Sequence, residues 1–264
     1  MQDLQTYQYV LIGLIFIWSG FVRSGLGFGG AVLSLPFLLL VEKLPQVYLP
    51  LISVHLLFFS SITVARNQWK THRQTVAGES PESTVDWAYL KYALSVMIIP
   101  KVIGIFGLIT LPATMMSSII FGIVAVYAVS YILNKPFRSN SKTLDILFLM
   151  LGGYISGTSL IGAPLIIAVF ATHVAKEQMR DTLFTLWFVL VSIKMAAFIY
   201  VGIDLQLIHH LWLLPCAGIG HFIGLRAHKH LLSADSKHFF RVLGSILLVI
   251  SIMGIYEALG TSIQ

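Results

Sequence analysis

Eight apolar stretches, two of them too long for a single membrane crossing, constrain this chain more than any local motif does. A helix needs about twenty apolar residues to cross a hydrocarbon core of roughly 30 Å. Six stretches meet that length: 47–64, 87–110, 113–133, 182–201, 207–225 and 239–259. The other two, 7–41 and 144–172, are interrupted near the middle by the small-residue clusters "SGLGFGG" at 24–30 and "SGTSLIGAP" at 156–164. At about 1.5 Å per residue, either half alone is expected to reach only about 15 to 24 Å. Such halves suit a hairpin that enters to mid-depth and returns.

Composition fixes the solvent. The chain is 57% hydrophobic and 11% charged, with a mean hydropathy of +0.86, whereas about a quarter of residues are charged in soluble domains. Its environment is a lipid bilayer. The single cysteine, Cys216, precludes an internal disulfide and offers no metal cluster. The segment "MQDLQTYQY" carries an acid and no Lys or Arg, so the first apolar run is expected to stay in the mature protein rather than act as a signal peptide.

The two interrupted stretches read as copies. Setting Gly20 on Gly152 places Ser24 on Ser156, Gly25 on Gly157, Gly30 on Gly162 and Ala31 on Ala163 without a gap. Three spanning segments follow each break, and the second of the three carries proline and spaced glycines in both halves, "PKVIGIFG" and "PCAGIGHFIG". The fold expected is an all-α polytopic membrane protein of two inverted repeats, each a broken or re-entrant helical hairpin plus three transmembrane helices. The first repeat covers 1–134, a cytoplasmic linker 135–142, and the second repeat 143–264. Inversion follows from counting, because a hairpin plus three spans makes an odd number of crossings.

Basic residues give an independent reading of orientation. They gather at 66–91, 134–142 and 226–241, taken as loops. With both long stretches re-entrant, all three basic regions face the cytoplasm and both termini face outward, as the positive-inside rule requires. The net charge of +6 then reflects topology and an anionic leaflet, and nucleic acid is not an expected partner.

Gly25, Gly27 and Gly30 fit the G-x-G-x-x-G spacing of a dinucleotide loop, but apolar runs flank them and no acid sits about twenty residues on to take a ribose. No nucleotide or other cofactor is expected. Irregular backbone at mid-membrane is tolerated only when buried in protein or lining a cavity, and broken helices in inverted repeats characterise secondary transporters. In each hairpin the returning helix is expected to begin at the break, near Gly29 or Gly30 and near Gly162, so two helix N-termini with unpaired N–H groups point at the centre and favour an anion. Candidate substrate-binding residues are Arg23, Ser24, Gly25, Gly27, Gly29, Gly30, Ser156, Gly157, Thr158, Ser159 and Gly162. Close helix packing is the alternative for any one glycine. Lys101 and Lys194 lie mid-span with no acid at similar depth, and charges there are costly, so they join the candidates. His55 and His221 also lie inside spans; each is a packing histidine or a proton carrier. "IHHLW" and "RAHKH" fall on opposite sides, read as surface histidines, and no metal site is expected. Asp145 and Glu257 are expected at solvated interfaces. Trp18, Trp87, Trp187 and Trp212 are expected to face lipid or the interface. An embedded enzyme would need an orienting acid beside a base at mid-depth, and none is present.

The segments "GFVRSGLGFGGAVLSLP" at 20–36, "GGYISGTSLIGAPLI" at 152–166 and "LPCAGIGHFIGLR" at 214–226 resemble the sulfite exporter (TauE/SafE) family, also called toluene sulfonate uptake permeases. The resemblance covers nearly the whole chain. It implies transport of small sulfur oxyanions or organosulfonates, often outward, across a cell membrane, the inner membrane in bacteria, with coupling to a proton or other ion gradient. An anion channel of the same architecture is the competing reading. The second cluster, "SLIGAP", is poorer in glycine than the family's usual pattern.

The topology has a direct test. In a chain carrying Cys216→Ser, cysteines introduced at Arg73, Arg138 and Lys229 should react only with reagents admitted to the cytoplasmic side. Labelling of position 138 from outside would contradict the inverted arrangement.

Overall fold

A backbone in lipid must satisfy its N–H and C=O groups internally, and an apolar run does so locally by forming a helix. The computed structural model describes residues 4–26, 29–76, 83–233 and 236–260, and among them finds ten helices and no strand. In chain order these are α1 Thr6–Leu26, α2 Leu35–Val41, α3 Pro45–Val76, α4 Trp87–Thr110, α5 Ala113–Ile132, α6 Lys142–Ser159, α7 Ala163–His173, α8 Lys176–Val201, α9 Leu207–Ser233 and α10 Ser236–Gly260. Among the described residues, α1, α3, α4, α5, α8, α9 and α10 contain seven stretches long and apolar enough to span a membrane. The six single spans read from the sequence are all present.

Two expectations need correction. The basic stretches at 66–91 and 226–241 are in large part helical: α3 continues to Val76 and α9 to Ser233. No glycine or proline interrupts 66–76 or 226–233, so a helix started in the membrane propagates into polar sequence. Only the linker around Pro136 is free of helix on both sides, as proline's missing N–H dictates. The first hairpin is also lopsided. α1 has 21 residues and is about 31 Å long, a full crossing by length, while α2 has 7 and is about 10 Å long.

Each hairpin nevertheless returns to its starting side. Gln8 near the start of α1 donates through Nε2 to the carbonyl of Val41 at the end of α2, at 3.3 Å. Deeper in, the Trp18 indole N–H donates to Leu33 O at 3.1 Å, and the Ser34 hydroxyl reaches Gly30 O and Ser19. In the second hairpin, His173 at the end of α7 meets Asp145 in the first turn of α6 at 2.8 Å. Asp145 is therefore buried and partnered rather than solvated. Glu257, by contrast, keeps half-exposed company with Lys43 at 2.9 Å.

The breaks use left-handed backbone. Gly29 has φ +82° and Leu160, which ends α6, has φ +62°; glycine adopts this region freely, whereas leucine must be held there by its surroundings. The first returning helix starts later than expected. Residues 30–34 form turns, with Leu33 N–H bonded to Gly29 O at 2.9 Å, before α2 begins at Leu35. The second follows the sequence reading, with Gly162 as N-cap and Pro164 in the first turn of α7.

α1 packs chiefly on α9, α4 on α6, α5 on α10 and α3 on α8. Exchanging the first five helices with the last five leaves this set of pairs unchanged. α5 and α10 run antiparallel, since Gly244 lies against Ala128 and Tyr131 while Gly254 lies against Phe121. At the α1–α9 and α4–α6 contacts the glycines act by having no side chain. A Cβ at Gly20 would overlap the carbonyl of Ala217, at Gly220 that of Ile17, at Gly104 that of Tyr154, and at Gly157 that of Lys101. Small residues let backbones approach where lipid offers no hydrophobic drive.

Because backbone cannot yield as a side-chain tip can, Gly157→Ala should lower stability by about 1 to 3 kcal/mol. A methyl group added at Gly218 would meet no atom within 4 Å, so Gly218→Ala should leave the melting temperature in detergent unchanged or raise it slightly. Equal effects would contradict this packing.

Candidate functional site

The two breaks meet α3 and α8 around a small, partly open cavity of about 40 Å³. That is room for a small oxyanion or a few waters and far below the several hundred Å³ of a drug-sized site. The first hairpin contributes Phe16, Ser19, Arg23 and residues 29–32; α3 contributes Ile52, His55 and Leu56. Ser156, Leu160 and Ala163 come from the second hairpin, Phe184, Trp187, Leu190 and Val191 from α8, and Ala217 from α9. In the alignment of the halves, Ala31 matches Ala163, Ile52 matches Phe184 and His55 matches Trp187. Both copies thus present matching positions to one space.

Among the described residues, Arg23 and His55 are the ionisable ones lining it, and no carboxylate does. Arg23 sits in the last turn of α1, where the helix dipole favours a cation. It is 7% exposed, its guanidinium carbon lies 4.2 Å over the Phe59 ring, and its Nη2 has no protein acceptor. A buried guanidinium with a spare N–H pair, stacked on an aromatic face and short of a counter-charge, can hold an anion in the cavity.

Two polar pairs flank this point. Lys101 donates from Nζ to Ser156 Oγ at 2.9 Å and to Ser156 O at 3.1 Å. Ser24 meets His221 Nδ1 at 2.5 Å. Ser24 and Ser156 are matched residues of the two halves, so each hairpin's serine is gripped by a basic residue from the helix packed on it. The lysine also meets a carbonyl near the C-terminal end of α6, a favoured place for positive charge.

The remaining candidates divide accordingly. Arg23, Gly29, Gly30, Ser156 and His55 line the cavity. Ser24, Lys101 and His221 stand immediately behind it. Gly25 and Gly157 lie in helix contacts, opposite Gly224 and Lys101 respectively, and a Cβ on Gly162 would strike the Gly152 carbonyl. These glycines have a packing reason to be glycine. Thr158 and Ser159 turn their hydroxyls back to Ile155 O at 3.0 Å. Lys194 is fully buried, with its Nζ lacking an acceptor and 5.7 Å from the Phe198 ring, but it does not line this cavity. Gly27 lies outside the described residues. Among those residues no cluster suited to a metal occurs.

Sequence reasoning missed several participants. Trp187 lines the cavity, and Trp18 and Trp212 make polar contacts with Leu33 and His209 rather than only facing lipid. His210, read as a surface residue, is 6% exposed and lies with its ring centroid 5.2 Å from that of His55. Its place one turn into α9 was a usable signal, since a span's first turn need not face outward. A second, larger cleft of about 680 Å³ opens beside the linker at Arg138 and runs along α7 from Pro164 to Thr172.

The profile of the sulfite exporter TauE/SafE family matches residues 11–254. The chain belongs to that family. No curated protein and no solved structure gave a match. Membership makes this TauE/SafE chain a multi-pass membrane protein of a transporter family, and the matched region contains both breaks and the whole cavity.

In this TauE/SafE protein Lys101 has acceptors within the protein, so its first duty is to the fold. Lys101→Met should cost about 1 to 3 kcal/mol of stability by removing the donor to the Ser156 hydroxyl and leaving the Ser156 carbonyl with Leu160 N–H alone, read as a lower melting temperature. A parent-like melting temperature with weakened anion binding would instead place Lys101 on the ligand.

Proposed function

We propose that the chain is a secondary carrier, not an enzyme, for small sulfur-containing anions such as sulfite or organosulfonates, working by alternating access at a midplane site between two inverted repeats. The observation that carries this reading is the uncompensated Arg23 at the wall of a carboxylate-free cavity formed where two broken helices meet. The unpaired first-turn amides of α7, which begins at the lining residue Ala163, add to the attraction for an anion. Lys101 and Lys194, buried nearby, add basic groups to a region with no carboxylate beside them among the described residues. The exchange symmetry of the helix pairs and the antiparallel α5 and α10 support inverted repeats that could rock about the site.

A passive anion channel built on the same fold is the competing mode. The small cavity, bounded by Phe16, Phe184, Trp187 and Leu190, favours a carrier that must rearrange to let a ligand in or out. The family supplies sulfur oxyanions as the substrate class; the volume favours the smaller ones. A toluene sulfonate would need the site to widen.

Purified protein in liposomes, offered sulfite, thiosulfate, sulfoacetate, taurine, sulfate and a carboxylate, should give saturable flux and counterflow for at least one sulfur anion. Non-saturating flux would favour the channel. Arg23→Gln should raise the apparent Kd for the transported anion by about ten- to a hundredfold, the equivalent of one charge-assisted hydrogen bond. The same change should leave the melting temperature level or higher, because a buried charge without a counter-charge is costly to the fold. Parent-like affinity would overturn the assignment of Arg23.

A further inference from the structure

We propose that His55 and His210 together form a one-proton binding site, reached from the α8–α9 loop and electrostatically linked to the anion beside Arg23, so that proton and anion bind cooperatively. The proposal rests on the carrier reading above, in which Arg23 holds the anion.

Hydrogen bonding fixes the state of both rings. His55 Nδ1 lies 2.7 Å from Leu51 O and His210 Nε2 lies 3.1 Å from Leu205 O. A carbonyl only accepts, so each of these nitrogens carries the hydrogen. The other nitrogens, His55 Nε2 and His210 Nδ1, are therefore bare lone pairs in the neutral rings. Both are buried and make no hydrogen bond of normal geometry with the protein, although the Leu213 backbone lies close to the His55 ring. The residues are 2% and 6% exposed, with ring centroids 5.2 Å apart. Two rings with one lone pair each, held by backbone carbonyls at the far side, form a site for a single added proton, shared directly or through one water. The proton converts one ring to imidazolium while the other remains neutral and can accept from it. A second proton is opposed by repulsion between the rings.

The pair connects two environments. His210 follows the loop at 202–206, where Gly202 and Asp204 are exposed, and His55 lines the anion cavity. By the basic-loop reading that loop is on the outer face.

The surrounding charges determine the sign of the coupling. α1 brings Arg23 to His55, and α9 brings His210. On His210 the titratable neighbour is His209, which is held neutral at Nδ1 by accepting from the Trp212 indole, lies near Asp204 and stacks on Tyr9. α8, the breaks and α6–α7 present no ionisable group to the cavity, and His221 sits with Ser24 and Phe59, beside Arg23. With Arg23 uncompensated, a proton on the pair is repelled. An anion against Arg23 cancels that repulsion and attracts the proton, and by linkage the proton raises affinity for the anion by the same factor. The neutral combination then moves as a unit, and the membrane potential does not act on a monoanion carried with its proton.

Methanesulfonate is the probe, since it stays a monoanion over the relevant range. Its binding to the detergent-purified chain should tighten between about pH 7 and about pH 4.5, below the range of a free imidazole because Arg23 and burial oppose the proton, by up to tenfold per unit for one linked proton. Addition of methanesulfonate in weak buffer should draw up to one proton per anion from solution. His55→Gln and His210→Gln should each flatten the pH profile and abolish proton uptake, and His210→Gln, outside the cavity lining, should keep the affinity near that of the parent at about pH 7.5, with melting temperature confirming the fold. A parent profile that is flat, or a slope that survives in whichever variant folds, overturns the histidine proposal. If binding depends on Arg23 but not on pH, the carrier reading stands and the proton site alone fails. If methanesulfonate binds at neither pH, or binds Arg23→Gln as it binds the parent, the anion site itself is wrong and this proposal falls with it.

Discussion

Backbone that leaves a helix inside lipid must find every hydrogen bond within the protein. The structure depends on meeting that demand at two breaks, described at 29–34 and 160–162. In the first, the hairpin folds against itself through Trp18, Ser19 and Ser34. In the second, Lys101 reaches across from α4 to cap Ser156 near the end of α6, and Asp145 with His173 ties the hairpin's open end. Once both breaks are clamped in protein, they leave a small, mostly apolar space between α3 and α8 into which Arg23, His55 and a few hydroxyls project. The proposed anion site would then be a by-product of solving a solvation problem twice.

The two solutions differ in a way that bears on mechanism. The serines Ser24 and Ser156 occupy matched positions, yet one is held by an imidazole from α9 and the other by an ammonium from α4. Arg23 is matched by Ile155, and His55 by Trp187. Positive charge in the cavity therefore comes from the first half, while the second half supplies an apolar wall and a helix N-terminus. A charged half and a shaping half can move relative to one another without separating an ion pair, because none joins them at the cavity.

Much of this was legible in the sequence. The hydrophobic length of each segment located the spans, α4 to both of its ends, and the small-residue clusters located both breaks. Length alone could not tell that α1 would run through as a full-length helix while α2 shrank to two turns, because the turns at 30–34 depend on Trp18 and Ser19 across the hairpin. Nor could local pattern separate glycines that line a cavity, such as Gly29 and Gly30, from those that seat a neighbouring backbone, such as Gly157 and Gly162; that distinction lies in what packs opposite. Charge at depth correctly singled out Arg23, Lys101 and Lys194 as buried, but their partners are set by helix pairing. His210 escaped notice because its proximity to a loop reads as exposure, whereas its side chain turns inward to His55.

Everything functional turns on the position of the anion. Crystals soaked with selenite, an oxyanion whose selenium scatters anomalously, would place it without reliance on function or on any variant. The expected result is an anomalous peak in the cavity between Arg23, Ser156 and the turn at Gly30, within hydrogen-bonding reach of the Arg23 guanidinium. A peak in the cleft beside Arg138, with none at Arg23, would contradict it.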